Sequence, residues 1–308
     1  MCQLIVHADD FGLSEKVNEG ILRAHTRGIL TSTSLMATGA AFDHAISIWQ
    51  SNPTLDVGIH LTLVEEDPVV LAKNVPSLVN GEHQFHQNAV EFIKQYLKGK
   101  ICLQEVQLEL EAQILKVKNR GIRLSHIDSH QHIHMLPKIH EITVGLAKKF
   151  GIPSVRLTRE TFHLGMLKEK GLFSRLLPLL VLNRFSRLPG DSDVARTDHF
   201  FGFFFSGILN KTNLVKILHH LPPSGTCELM CHPGLDDPQS RYSHWKYCWQ
   251  DELQALLDAE ISRILQEKEI SLISYRDLAR IKGTIGWKDH HTYYSYESLQ
   301  KAKTSTDS

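Results

Sequence analysis

The sequence has no excess charge of either sign and no long hydrophobic run. Its 308 residues contain 34 Lys and Arg against 34 Asp and Glu, so there is no global field to recruit nucleic acid. The longest apolar run, from Leu176 to Leu182, is far too short to cross a bilayer. Such a run forms either a buried helix or an exposed surface that meets an apolar ligand.

Cysteine is scarce as well, with five residues scattered along the chain. An odd number of widely spaced cysteines in a large chain argues against a disulfide framework and indicates a reducing compartment. The N-terminal residues lead directly into a strand-like segment, and Asp9-Asp10 interrupts it too early for the apolar core of a signal peptide. We therefore expect a cytoplasmic protein.

Short apolar segments alternate with segments of helical periodicity through most of the chain. Ser14 is a candidate helix N-cap and Gly28 a candidate helix end, and we expect one long helix over 251–266. The predicted strands are 4–8, 29–36, 55–63, the histidine-rich segment, 153–157, 200–205, 227–231 and 270–274. This alternation predicts an α/β fold, a distorted, TIM-barrel-like (β/α) barrel with about seven strands.

The predicted domain organisation is a single catalytic barrel over residues 1–282, followed by a polar tail. Residues 160–198 interrupt the alternation, and we expect an insertion there. Residues 283–308 are polar and lack periodicity, which predicts a poorly ordered C-terminal tail.

The most unusual stretch is Ser125-His126-Ile127-Asp128-Ser129-His130-Gln131-His132-Ile133-His134, which places four histidines within nine residues. In an extended chain, side chains alternate between two faces, so the histidines and the aspartate would share one face. An unpaired polar row of this kind is costly to bury. Metal binding by some members, with hydrogen bonding among the others, removes that cost.

Other polar residues stand at the ends of predicted strands, where β/α barrels carry their reactive groups. Asp10, His60 and His130 could bind a divalent ion, Asp9 could act as a base towards water, and His232 could protonate a leaving group. Arg156 and His132 are candidates for substrate contact. Neighbouring strand residues point to opposite faces, so we expect the first strand to end at Asp9-Asp10, with Gly12 allowing an abrupt turn.

Five segments together resemble the YdjC-like carbohydrate deacetylases, in the right order from Leu4 to about Leu278. They are His7-Ala8-Asp9-Asp10-Phe11-Gly12-Leu13, Thr31-Ser32-Thr33-Ser34, Gly58-Ile59-His60-Leu61, His126 to Pro137 and Glu228-Leu229-Met230-Cys231-His232-Pro233-Gly234. The resemblance implies a barrel-like β/α fold and hydrolysis of the N-acetyl group of an amino sugar, such as those in chito-oligosaccharides.

The resemblance also implies a divalent metal, usually magnesium, and the family's ligands fall on Asp10, His60 and His130. Two imidazoles and one carboxylate also suit zinc or cobalt. Details such as Ser34-Leu35-Met36 look most like the branch associated with hopanoid biosynthesis, in which the sugar is attached to a lipid. The expected partners are an amino-sugar or glycolipid substrate, a peripheral lipid contact and a second copy in a homodimer, but no nucleic acid.

Two other functions fit parts of the same pattern. A metal-independent barrel glycosidase would use Asp9 with a distant carboxylate such as Asp128 or Glu228. A carbohydrate-binding protein that has lost its chemistry would keep a metal site without needing a base or an acid. The presence of Asp9, Asp10 and His232 argues against the binding protein.

Overall fold

A curled sheet of parallel strands forms the centre of the protein. The structure is a computed structural model that describes residues 1–161, 172–186 and 193–284. The strands are β1 (Cys2–Phe11), β2 (Ser32–Leu35), β3 (Asp56–Leu61), β4 (His126–Ser129), β5 (Ser154–Val155), β6 (His199–Phe201), β7 (Gly225–Cys231) and β8 (Ser271–Leu272). Seven of them follow the order β5-β4-β3-β2-β1-β7-β6, and β8 pairs with the beginning of β1.

Helices follow most of the strands, as is usual for connections between parallel strands. They are α1 (Glu15–Arg27), α2 (Phe42–Ser51), α3 (Ala89–Leu97), α4 (Leu103–Lys118), α5 (Pro137–Phe150), α6 (Leu172–Phe185), α7 (Lys211–His220), α8 (Trp249–Leu257), α9 (Ala259–Glu267) and α10 (Tyr275–Ile281). None of the helices within the described residues is long and apolar enough to cross a membrane.

The two edge strands of the sheet approach each other and nearly close the barrel. The free edge of β5 pairs with Ala195. The Val155 N–H donates to the Ala195 carbonyl at 3.1 Å, and the Ala195 N–H donates to the Pro153 carbonyl at 2.8 Å. A further parallel bridge joins Glu160 to Phe200 in β6. The predicted distorted β/α barrel is therefore confirmed.

Local sequence signals account for many of the element boundaries. The Ser14 side chain caps the N-terminus of α1 by accepting a hydrogen bond from the Val17 N–H. At the C-terminus of the helix, the Gly28 N–H donates to the Ala24 carbonyl. Two predictions were wrong or incomplete. The single helix expected over 251–266 is divided at Asp258, whose extended backbone and side chain cap α9. The pattern also gave no indication of α3.

The central strand β1 positions the reactive end of the sheet. Its neighbours β2 and β7 pair with it along opposite edges, and its apolar residues Leu4, Ile5 and Val6 are completely buried. Burying side chains of this size stabilises a fold by about 1.5–3 kcal/mol each. Residues at the C-terminal end of β1 are therefore held on a rigid support.

Parts of the predicted domain organisation lie outside the described residues. In the insertion expected over 160–198, the structure describes 160–161, α6 with the residue after it, and 193–198. Of the tail expected over 283–308, residues 285–308 lie outside the description. The division into one catalytic domain, an insertion and a tail stays a prediction.

Glu160 supports the closure of the barrel at a fully buried position. Its carboxylate accepts the N–H groups of Gly202 at 3.0 Å and Phe204 at 2.8 Å. Burial raises the pKa of Glu160 to about 7, despite these hydrogen bonds to the ionised form. The folded protein therefore holds a proton on this carboxyl over a range in which the unfolded chain has lost it.

We expect the Glu160→Gln variant to show a weaker loss of stability with rising pH than the wild type. A raised folded-state pKa contributes stability below the unfolded value of 4.5, and this contribution is lost as pH rises through about 7. Between pH 4.5 and about 7, the difference in free energy of unfolding between the wild type and Glu160→Gln should change by up to about 3 kcal/mol. Urea unfolding at several pH values measures it. Glu82→Gln, at an exposed position, is the control. An equal change in the pH dependence of stability in both variants would contradict the raised pKa of Glu160.

Candidate metal and catalytic site

A distortion at the end of β1 brings two consecutive carboxylates to the same cavity. The strand does not end at Asp9-Asp10, as the sequence suggested, but continues to Phe11 with a shift of register after Ala8. Asp10 has a φ of 65°, a left-handed conformation that costs a non-glycine residue about 1–2 kcal/mol. Strain of this kind is typical of functional sites. It resolves the difficulty that adjacent strand residues should face opposite ways.

Asp10, His60 and His130 converge from three different segments of the chain. Asp10 Oδ1 lies 3.3 Å from His60 Nε2 and 3.1 Å from His130 Nδ1. The candidate ligand atoms of the three residues all lie within 4.8 Å of one another, and all three side chains are buried. The structure therefore brings together the three residues that the sequence analysis selected as metal ligands.

The other nitrogen of each histidine is held by a second carboxylate. His60 Nδ1 lies 2.8 Å from Asp128 Oδ1, and His130 Nε2 lies 2.8 Å from Glu65 Oε2. Carboxylates in this position fix the orientation and tautomer of ligating histidines. The alternation of the histidine-rich segment indicated Asp128 as a polar neighbour. No signal in the sequence indicated Glu65, which lies in the loop after β3.

The electrostatics of this cluster favour positive charge. Burial alone would lower the pKa of His60, but the charge of Asp128 and its hydrogen bonds raise it to about 10. The pKa of His130 is likewise lowered by burial but raised to about 9 through Asp10 and Glu65. A divalent cation would supply the positive charge that the two imidazolium protons otherwise provide. One carboxylate oxygen and two imidazole nitrogens therefore fit such an ion, with room for its other ligands towards the cavity.

Asp9 is anchored by a buried arginine on the opposite side from the cavity. Arg156 NH1 donates to Asp9 Oδ2 at 2.9 Å and NH2 donates to Oδ1 at 2.8 Å, while His7 Nδ1 lies 3.0 Å from Oδ1. Burial acts to raise the pKa of Asp9, but the charge of Arg156 outweighs it and keeps the pKa well below the usual value. Asp9 is therefore ionised at any working pH.

Arg156 is the centre of a wider ion-pair network and does not face the cavity. Its side chain is completely buried and also pairs with Asp128 at 2.9 Å and with Glu228 at 2.7 Å. Glu228 in turn accepts a hydrogen bond from the Tyr275 hydroxyl at 2.5 Å. The sequence analysis had selected Arg156 for substrate contact. This geometry instead favours a role in positioning Asp9 and Asp128.

The histidine-rich segment is extended only as far as Ser129. Residues from His130 to Met135 form a tight helical turn in which Gln131 and His132 adopt left-handed conformations, with φ of 50° and 56°. The expectation that all its histidines share one face was therefore wrong. His126 packs against His7, with their Nε2 atoms 2.8 Å apart, deep in the barrel.

His132, which the sequence analysis named as a candidate for substrate contact, lies on the cavity wall. Its Nδ1 lies 3.2 Å from the Thr158 hydroxyl, and its ring packs against Phe203 with a centroid separation of 5.3 Å. Burial, reinforced by the charge of Arg156, lowers its pKa to about 3. His132 is therefore neutral near pH 7 and can exchange hydrogen bonds with an uncharged ligand.

His232 reaches the same cavity from the end of β7. Its backbone N–H donates to Glu252 Oε2 at 2.6 Å, and its Nδ1 lies 3.9 Å from the same oxygen. Within the described residues, Nδ1 is buried without a hydrogen-bond partner. The ring packs against Tyr247, with centroids 4.9 Å apart. The sequence indicated His232 but not the buried Glu252, which is contributed by α8.

One cavity of about 510 Å³ connects these groups to an apolar wall. Asp9, Asp10, His60, His130, His132 and His232 all line it. The opposite wall comes from α3 and α6 through Ala89, Val90, Ile93, Leu177, Pro178, Val181, Leu182 and Phe185. The cavity therefore joins a polar end, where ionisable groups converge, to a wall that offers apolar contacts.

Fold and site together define a parallel β/α-barrel protein with a candidate divalent-metal centre at the C-terminal ends of its strands. A family model described as YdjC-like protein matches residues 3–267, and the chain belongs to this family. The family resemblance seen in the sequence is thereby confirmed.

Curated relatives carry the name carbohydrate deacetylase. The protein from Brevibacillus brevis is 31% identical over 277 residues, covering 90% of this chain and 99% of the relative. The protein from Geobacillus stearothermophilus is 32% identical over 280 residues, covering 90% and 98%. A solved structure from Enterococcus faecalis V583, described as a candidate cellobiose-phosphate cleavage protein, superposes with a TM-score of 0.69 at 29% identity, covering 90% of this chain and 98% of that one.

We expect Glu65→Gln to weaken binding of a divalent metal by about 10- to 100-fold, because an amide orients the His130 ring less strongly than a carboxylate. Isothermal titration with Mg²⁺ and with Zn²⁺ measures the change. Glu66→Gln is the matched control, since Glu66 contacts Tyr242 and Arg241. Equal affinities in wild type and Glu65→Gln would rule out an orienting role for Glu65.

Proposed function

We propose that this protein is a metal-dependent carbohydrate deacetylase that hydrolyses the N-acetyl group of an amino sugar and releases acetate. The observation that carries the proposal is the convergence of Asp9 and His232 on the cavity that the Asp10, His60 and His130 cluster also lines. Such an arrangement supplies a base, an acid and a metal site around one substrate position. The names of the curated relatives support the same reaction.

Asp10, His60 and His130 would hold the metal, and Asp128 and Glu65 would orient the two histidines. A bound divalent ion lowers the pKa of a water and polarises the amide carbonyl. We propose magnesium in line with the family, with zinc or cobalt as alternatives that imidazole ligands accommodate.

Asp9 would accept a proton from the attacking water. A carboxylate has about four lone-pair positions, and the two hydrogen bonds from Arg156 occupy two of them, which leaves positions for a water in the cavity. Its low pKa makes Asp9 a weak base, but also guarantees that it is ionised when water binds. A fixed, always ionised acceptor suits a water whose own acidity is raised.

His232 would protonate the amine as it leaves. An amide nitrogen is a poor leaving group until it gains a proton, so the reaction needs an acid on the side of the substrate away from Asp9. His232 comes from β7, lines the cavity and lies near the buried Glu252. The hydrogen bond from the His232 backbone N–H to Glu252 holds the residue in place, so that its ring stays on the cavity wall.

The shape of the cavity favours an amino sugar attached to an apolar group over a free chito-oligosaccharide. His132 would contact the sugar through a neutral imidazole, and Arg156 would act indirectly by holding Asp9. The α3–α6 wall would pack against an apolar aglycone through Leu177, Val181 and Leu182, which belong to the apolar run. A cytoplasmic location, a homodimer and a peripheral lipid contact complete the proposal.

A glycosidase is less well supported by this geometry. Retaining and inverting glycosidases place two carboxyl groups on either side of the scissile bond, about 5–9.5 Å apart. The carboxylates considered as partners for Asp9 are Asp128 and Glu228, and both are completely buried and paired with Arg156. Neither of them lines the cavity.

We expect Asp9→Asn to reduce acetate release by at least about 100-fold, because the amide cannot accept the proton of water. Metal affinity should stay close to that of the wild type, since the Asp10, His60 and His130 side chains are unchanged. Acetate is measured by a coupled assay on N-acetylglucosamine oligomers and glycolipids, with and without chelator. A wild-type rate in the variant would refute the base assignment. Activity that survives complete chelation, or release of a shortened sugar, would refute the deacetylase.

His232→Gln should discriminate between leaving groups. Hydrolysis of an N-acetyl sugar should fall by about 100-fold, because its amine must be protonated as it departs. Hydrolysis of 4-nitrophenyl acetate should fall much less, because nitrophenolate leaves without a proton. The comparison uses kcat for both substrates in both proteins. An equal loss on the two substrates would show that His232 is not the acid.

A further inference from the structure

Exposed apolar side chains are concentrated on two helices at the mouth of the cavity. Among the described residues, nine large hydrophobic side chains are exposed, and five of them belong to α3 and α6. These five are Val90 (62% exposed), Leu97 (73%), Leu177 (66%), Leu180 (54%) and Val181 (42%). Scattered exposed leucines are ordinary, whereas a cluster of this kind marks an interaction surface.

The same helices also form the apolar wall inside the cavity. Val90, Leu177 and Val181 are exposed and at the same time line the cavity, whereas Leu97 and Leu180 do not line it. Three apolar residues therefore belong both to the cavity wall and to the outer surface of the protein. We call these five residues the apolar rim.

Basic residues accompany the apolar rim. Lys94, Lys98 and Lys100 are exposed along α3 and just beyond it, and Arg184 is exposed near the end of α6. Glu91 is the acidic residue of α3, and its carboxylate accepts the Gln87 N–H at 3.2 Å. The sequence of α6 contains no acidic residue. Apolar side chains flanked by lysine and arginine match the interface of an anionic bilayer, where cations meet headgroups and apolar groups enter the acyl boundary.

We propose that the apolar rim docks this protein onto an anionic lipid surface, so that the cavity opens towards the bilayer. Neither helix spans the membrane, and each would lie in the plane of the interface. A ligand with an apolar group could then pass from the lipid to the α3–α6 wall without exposing that group to water. Docking rests on the peripheral lipid contact of the proposed function and specifies its surface, but it does not depend on deacetylation, because it uses residues outside the catalytic groups.

Sedimentation with phosphatidylcholine vesicles, with and without phosphatidylglycerol, tests this proposal on the full-length chain. We expect binding that requires phosphatidylglycerol and weakens with salt. Leu97→Ser combined with Leu180→Ser should reduce binding by at least about tenfold, and Lys98→Glu with Lys100→Glu by a similar factor. Acetate release from a water-soluble substrate should be unchanged in both double variants, which separates docking from catalysis.

Leu272→Ser combined with Ile281→Ser is the matched control, because it removes two exposed apolar side chains outside α3 and α6. This variant should bind vesicles like the wild type. Absence of vesicle binding by the wild type, or equal losses in the rim and control variants, would overturn the proposal. Sedimentation equilibrium tests whether the rim is instead a protein interface. A wild-type dimer that dissociates in the Leu97→Ser and Leu180→Ser variant would also overturn the proposal.

Discussion

The buried guanidinium of Arg156 is the interaction on which the site depends. It binds Asp9, Asp128 and Glu228 at distances of 2.7–2.9 Å, and these residues come from three different strands. Three carboxylates in a dry interior repel one another strongly unless a cation is fixed among them. Arg156 supplies that cation through a planar group that pairs with two oxygens of Asp9 at once. The orientation of Asp9 and the ionisation of Asp128 both follow from it.

Charge is organised in two adjoining layers around the cavity. In the inner layer, Arg156 compensates its three carboxylates and faces away from the ligand. In the outer layer, Asp10, Asp128 and Glu65 surround His60 and His130 and raise their pKa values to about 10 and about 9. Asp128 belongs to both layers, because it contacts Arg156 on one side and His60 on the other. The two layers together create a strong preference for a cation at the surface of the cavity.

The second half of the cavity is built by helices in the connections between strands. The strand ends provide the ionisable groups, whereas α3 and α6 belong to connections between strands and provide the apolar wall. Loops and connecting helices vary without disturbing the pairing of the strands, so specificity can change while chemistry is kept. Val90, Leu177 and Val181 belong both to this wall and to the exposed apolar rim, so the proposed substrate selection and the proposed docking would use the same two helices.

The sequence by itself indicated the barrel, both ends of α1 and the candidate site residues Asp9, Asp10, His60, His130 and His232, because periodicity and strand-end position are local properties. Other features required the tertiary structure. Glu65 and Glu252 meet His130 and His232 only after distant segments fold together, and no local pattern encodes those contacts. The bulge at Asp10 replaced the expected end of the strand, because pairing with β2 shifts by one register there. Arg156 became a buried positioning group for the same reason: its three partners are far away in sequence and adjacent only in space.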